Sequence, residues 1–319
     1  MRAFIFPGQG SQAVGMGRAL AEASPHAREV FEEVDDALGQ NLSRLMAEGP
    51  ADELTLTENA QPAIMANALA TLRVLEREGG IRLADKADCV AGHSLGEYGA
   101  LCAAGAFDLA TTAKLLKLRG QAMQRAVAVG EGAMAALLGA DVERAGVIAG
   151  AAVDAILAEG GPELVCAVAN DNDPSQVVIS GHREAVERAV ALAKELGAKR
   201  AVLLPVSAPF HCSLMRPAAE EMERALADSA LQAPLVPVYA NVDAAAVSDP
   251  GAIRRLLVEQ VTGMVRWRES VARMFDEGVT EFVEFGGKVL SPMVKRTAPD
   301  ANAVSVVGMN DFEALVKAL

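Results

Sequence analysis

The chain has 319 residues, 51 % of them hydrophobic but only 4 % aromatic, which predicts one large domain and a smaller one with an Ala, Val and Leu core suited to helices packed on a sheet. A formal net charge of −13 argues against nucleic acid as a partner. Cys89, Cys102, Cys166 and Cys212 follow no metal-binding spacing, Met1–Pro7 is too short in its apolar part for a signal peptide, and no uncharged 18-residue run could span a membrane; a cytoplasmic location with reduced thiols is expected.

Residues 2–6 read as a strand that runs into the loop Pro7-Gly8-Gln9-Gly10-Ser11-Gln12. From Gly8 to Ala13 that loop matches Gly-x-Gly-x-x-Ala, a dinucleotide-binding pattern. Two features argue against that use. Pro7 interrupts the strand-to-turn geometry, and an amphipathic helix, Phe31–Leu38, occupies the place where a second strand ending in an acid is needed. Residues 25–47 read as mostly helical, and Asn59-Ala60-Gln61-Pro62 opens the next helix, with Pro62 in its first turn and an end near Glu78.

The organising stretch is Gly92-His93-Ser94-Leu95-Gly96, which has the form Gly-x-Ser-x-Gly. The apolar run Cys89–Ala91 precedes it and the small-residue run Gly96–Ala106 follows, a strand–turn–helix context that holds a Ser hydroxyl proud of a sheet. The helix N-terminus adds N–H groups where an oxyanion would form. His93 is expected to point away from the nucleophile, and His26 and His182 lie at helix starts with surface character. His211, on the proline-bracketed loop that runs from Pro205 to Ser213, is therefore the best available base.

The helix of about 109–128 has an anomaly: Arg119 falls on its apolar face between Leu116 and Met123. A structural ion pair would explain it, and so would a substrate carboxylate, which a guanidinium can bind bidentately. From Gly130 the predicted order is β-α-β-β-α-β: strands at 133–138, 164–169, 176–180 and 198–204, with helices at 142–157 and 183–196. This is the split β-α-β pattern of a small inserted domain, with Asn170 to Ser175 expected as a hairpin turn. Further strands are expected at 236–241, 282–285 and around 305–307, with helices between and after them.

Taken together, Phe6 to Gln12, Gln61-Pro62-Ala63, Gly92 to Glu97, Arg119-Gly120 and Ala208-Pro209-Phe210-His211 resemble the malonyl-CoA:acyl carrier protein transacylases, in order and spacing across nearly the whole chain. The resemblance implies a large α/β-hydrolase-like domain with a mostly parallel sheet (1–129 and 204–319) and a ferredoxin-like insert (130–203). It implies Ser94 as nucleophile, His211 as base, and the backbone N–H groups of Gln9 and Leu95 as the oxyanion hole. Arg119 would clamp the malonyl carboxylate, Gln61, Met123 and Phe210 would contact substrate, and a main-chain carbonyl at Glu259-Gln260 would orient the His. One departure is visible: Glu284 to Lys288 is a residue shorter than the family's usual Gly-x-Gly turn there. The implied partners are malonyl-CoA and acyl carrier protein, with a monomeric chain and no metal or redox cofactor. A basic docking patch is expected at Lys199-Arg200, ahead of Lys288 with Lys295-Arg296.

Three other readings compete. A serine esterase or thioesterase would use the same elbow with an acid such as Asp171 or Asp173, but has no use for Arg119. A malonyl transferase could instead serve a polyketide or malonate decarboxylase pathway. A non-catalytic docking protein would not need the Ser, His and Arg set.

Overall fold

Strand β1 (Arg2–Phe6) sits at the centre of the molecule, and its alternation explains why the sheet around it has two covered faces. Phe4 and Phe6 enter one core with the helix Thr57–Glu78, while Ala3 and Ile5 enter a second with Trp267, Val271 and Met274. Both faces are apolar, as expected of a parallel sheet buried between helices. The structure, a computed structural model, describes residues 1–206 and 208–318. Beside β1 lie β2 (Cys89–Gly92) and β9 (Glu281–Phe285), with β7 (Val238–Ala240), β8 (Ala245–Val247) and β10 (Asn302–Val306) outward, in the order β10-β9-β1-β2-β7-β8. All pairings are parallel except β7 with β8, a short strand that sequence periodicity did not reveal.

A separate four-stranded antiparallel sheet is formed by β3 (Gly132–Leu138), β4 (Cys166–Asp173), β5 (Gln176–His182) and β6 (Arg200–Leu203), in the order β4-β5-β3-β6. The helices Val142–Ala158 and Arg183–Leu192 cover one face through Ile148, Ala152, Val186 and Ala189. From the other face Met134, Ala136 and Val178 join the core of the large sheet, so the two sheets share an apolar boundary.

Several sequence expectations are corrected. Residues 25–47 are mostly helical as expected, but divided into two helices, Pro25–Leu38 and Leu42–Glu48, because Gly39 takes φ +57° and Asn41 caps the second through the Arg44 N–H. The helix expected from Asn59 starts at Thr57, which moves Pro62 from its first turn into its interior. The expected hairpin turn at 170–175 shrinks to Pro174-Ser175, since β4 continues to Asp173. Asx residues favour turns when their side chains must satisfy their own backbone; here each has a distant partner. Asp171 pairs with Arg268 and Asp173 with Arg296, both at 2.8 Å, and Asn172 meets His93 at 2.8 Å. Asn170 bridges to Val265, completing a seam between β4 and the large sheet's helices.

That seam should hold measurable stability. Arg268→Ala strands the carboxylate of Asp171, whose side chain is only 1 % exposed. The expected cost is about 2–3 kcal/mol, below the full penalty for breaking a buried pair because water already reaches the guanidinium. Denaturant titration checks this, and a loss under about 0.5 kcal/mol would leave the pair without energetic weight.

Candidate active site

The site begins where β2 ends. Gly92 closes the strand, Ser94 adopts φ 53° and ψ −113°, and the helix Leu95–Ala103 starts at the next residue. A β-carbon on Gly92 would lie 1.9 Å from the Gly96 carbonyl oxygen, and one on Gly96 would lie 2.2 Å from that of Phe6. Only glycine lets the turn close this tightly against β1. The strained backbone at Ser94 is held by Asn241, whose Oδ1 accepts the Ser94 N–H at 2.7 Å while its Nδ2 donates to the Gly92 carbonyl at 2.7 Å.

His211 also has a positive φ, 58°, on the loop that follows β6. Its Nε2 lies 2.7 Å from Ser94 Oγ, and its Nδ1 lies 2.8 Å from the main-chain carbonyl of Gln260. A carbonyl can only accept, so Nδ1 carries the proton and Nε2 is free to take one from the serine. Burial, reinforced by the Arg119 charge, pushes the imidazole down to about 3, so it is neutral, with Nε2 unprotonated, throughout the neutral range.

Arg119 projects from the helix Leu109–Ala126 and is 1 % exposed. Its Nη1 donates to Gln61 Oε1 at 2.9 Å, and its Nη2 donates to Gln260 Oε1 at 2.8 Å and to Ser94 Oγ at 3.2 Å. Its carbon Cζ sits 5.7 Å over the Tyr98 ring, and among the described residues Nε has no hydrogen-bond partner and no carboxylate forms an ion pair with the guanidinium. A buried cation whose hydrogen-bond partners are all neutral, beside a nucleophile, is a receptor for an anion. Gln61 is itself oriented by Met123, whose sulfur lies 3.7 Å from its Nε2.

Gln9, Gln61, Ser94, Arg119, Met123, Phe210 and His211 line one cavity of about 290 Å³ between the two sheets, together with His93 and Met134. Leu95 and Gln260 stand behind it, Leu95 as the first helical residue after the serine and Gln260 buried in the helix Pro250–Thr262. Four residues given no role from sequence, His93, Tyr98, Asn241 and Glu97, belong to this assembly, whereas His182 lies outside it. His93, expected to point away, does so in part: its ring bonds Asn172 of β4, yet it also lines the cavity. His182, expected at the surface, accepts the Val165 N–H at 2.8 Å. Tyr98 supplies the ring under Arg119, and Asn241 ends the predicted strand at 236–241 with nothing in its type to mark it.

The fourth is Glu97, inside the organising motif. Its Oε2 accepts from the Asn241 N–H at 3.0 Å and from Gln260 Nε2 at 2.8 Å. Burial raises its carboxyl to about 7 against those hydrogen bonds. Between pH 4.5 and 7 the folded chain therefore keeps a proton that the unfolded chain has released, and stability falls as pH rises. His211 acts oppositely, since from pH 6.5 down to 3 the unfolded chain binds the extra proton. Glu97→Gln removes only the first effect. Its Tm should gain on wild type by at least about 3 °C between pH 4.5 and 7, and a constant difference would contradict the burial argument.

A strained Ser on a strand-to-helix turn, paired with a neutral His, defines an α/β protein built around a nucleophile elbow. The profile of the acyl transferase domain family matches residues 3–310, and the chain belongs to that family. It is 44 % identical over 318 residues to the malonyl CoA-acyl carrier protein transacylase of Bacillus subtilis, covering 99 % of this chain and 96 % of that one. The crystal structure of acyl-carrier-protein-S-malonyltransferase from Bartonella henselae matches with a TM-score of 0.94 and 52 % identity over 99 % of this chain and 98 % of that one. A malonyl-transacylase in complex with its type II polyketide acyl-carrier protein matches with a TM-score of 0.93 and 38 % identity over 100 % of this chain and 99 % of that one. The expected fold is the one observed, a mostly parallel sheet with a separate antiparallel one.

Proposed function

We propose that this chain transfers a malonyl group from malonyl-CoA to the phosphopantetheine thiol of acyl carrier protein through a malonyl ester on Ser94, supplying fatty acid synthesis. The observation that carries it is Arg119, a buried cation without an ion pair among the described residues, 3.2 Å from the nucleophile oxygen. Neutral acyl groups would leave it uncompensated, whereas a malonyl carboxylate would complete it. Ser94 loses its proton to His211 Nε2 as its oxygen attacks the thioester carbonyl, and the oxyanion is held by the N–H groups of Gln9 and Leu95. Collapse breaks the carbon–sulfur bond, and His211 returns the proton to the CoA thiolate. The carrier-protein thiol then gives its proton to His211, attacks the ester and restores the serine. Gln61, oriented by Met123, holds the guanidinium in place, and Phe210 lines the cavity that takes the acyl group.

The same reading treats 1–129 with 204–319 and the insert 130–203 as two domains, and the chain as a cytoplasmic monomer. No helix among the described residues is long and apolar enough to cross a membrane. For docking, the basic patch near Lys288 fits better than Lys199-Arg200. The Lys199 N–H bonds Leu138 at the start of β6, whereas the cavity is reached only at Leu204; Lys288 is exposed beside Val289, which lines a recess adjoining the cavity. Esterase chemistry fits poorly, because Asp171 and Asp173 are committed to Arg268 and Arg296 and His211 is oriented by a carbonyl.

Labelled malonyl-CoA with phosphopantetheinylated carrier protein tests the reading. Label is expected to move to the carrier thiol, with little free malonate formed when carrier is omitted. Equal release of malonate with and without carrier would mean a hydrolase.

A further inference from the structure

The polar groups of the site converge on the side chain of Gln260. Its main-chain carbonyl holds His211 and its Oε1 accepts from Arg119. Its Nε2 faces Glu97 Oε2 at 2.8 Å, the Ser94 carbonyl at 3.1 Å and Asn241 Oδ1 at 3.3 Å. A primary amide has two orientations that differ only in which end is O and which is NH2. Were this one reversed, NH2 would face the guanidinium, donor against donor, and Arg119 would lose one of the two amide oxygens that hold it. We propose that Glu97 is a positioning residue for the carboxylate clamp, its Oε2 fixing the Gln260 amide so that Oε1 is presented to Arg119.

Three features support this. Glu97 makes the shortest of the contacts to Nε2, and it is the only ionisable group among them. Its Oε2 is pinned in turn by the N–H of Asn241, whose side chain holds the Ser94 turn, so the elbow and the clamp share one anchor. Arg119 has no ion pair among the described residues to fix it, so its position depends on the Gln61 and Gln260 amides. The Gln61 amide already has its own orienting group in Met123, and Glu97 fills the matching role for Gln260. Reversal of the Gln260 amide would leave the main-chain contact to His211 in place, so Glu97 acts chiefly on acyl selection. Preorganising a charged receptor favours the ligand that carries the matching charge.

The inference rests on Arg119 being the malonyl clamp, and the test separates the two. The readout is the ratio of single-turnover acylation kcat/KM for malonyl-CoA over acetyl-CoA. Glu97→Asp keeps the carboxyl but falls one methylene short, and should lower the ratio about tenfold. Glu97→Gln keeps an acceptor within reach and should stay within about twofold of wild type. In a Gln260→Ala background, which itself lowers the ratio, Glu97→Asp should change nothing further. A wild-type ratio for Glu97→Asp, a loss in Glu97→Gln equal to that in Glu97→Asp, or an undiminished effect in the Gln260→Ala background would each overturn the proposal. Should Glu97→Asp not fold, Gln260→Ala with and without Glu97→Gln carries the test: a wild-type ratio in the single variant, or a further fall in the double, overturns it. Arg119→Ala is the control, and an unchanged ratio there sinks the clamp reading itself.

Discussion

Ser94→Ala protein mixed with malonyl-CoA is expected to acquire no acyl group at all. The hydroxyl it loses is the one held 2.7 Å from His211 Nε2 on the strained turn after β2. His211→Ala should keep the nucleophile but slow acylation by roughly a hundredfold to ten-thousandfold, the usual weight of a positioned general base. The burial that depresses the imidazole pKa to about 3 adds a pH signature. The base stays unprotonated well below pH 6.5, so wild-type acylation should show no loss between pH 7 and 5 traceable to His211. Rapid-quench mass measurement reads both effects. A malonyl adduct appearing at the normal rate on Ser94→Ala protein would remove the serine from the mechanism.

Arg119→Ala is expected to lose malonyl selectivity with little harm to neutral acyl groups. The buried guanidinium is hydrogen-bonded by amide oxygens and faces a ring, with no carboxylate in direct contact among the described residues, which leaves a positive charge for a substrate carboxylate to satisfy. Losing one buried, bidentate pair should cost about 3 kcal/mol, or roughly a hundredfold in the malonyl-to-acetyl ratio of kcat/KM. Acetyl transfer should change much less, since that group makes no contact needing the charge. An unchanged ratio would return Arg119 to a structural role.

The elbow was legible in the sequence because its chemistry demands local signals: glycines at 92 and 96 for close approach, an apolar run before, small residues after. Arg119 was legible as a violation of helical periodicity, since a cation among Leu116 and Met123 needs an explanation wherever the helix packs. The order of elements in the small sheet was legible too, from alternating strand and helix patterns. The residues without such signals share one property: their roles depend on contacts far along the chain. Asn241 meets the elbow 147 positions away, and Glu97 meets Gln260 across 163. Nothing in an isolated Asn or Glu reports a partner at that range. The run Asn170 to Asp173 misled for the same reason, because its local turn preference is overridden by Arg268, Arg296 and His93. Pro62 shows the converse, a residue whose preferred place is a helix start but which the packed helix from Thr57 carries within it.

The central claim is that a malonyl group passes through an ester on Ser94, and one measurement reaches it most directly. Protein is mixed with excess malonyl-CoA, its intact mass is recorded, the acylated residue is located by peptide mapping, and the same sample is chased with phosphopantetheinylated carrier protein. The account predicts a single malonyl group on Ser94 that persists in buffer and leaves for the carrier thiol. A malonyl group on any other residue, or one that water removes as fast as the carrier does, would contradict it.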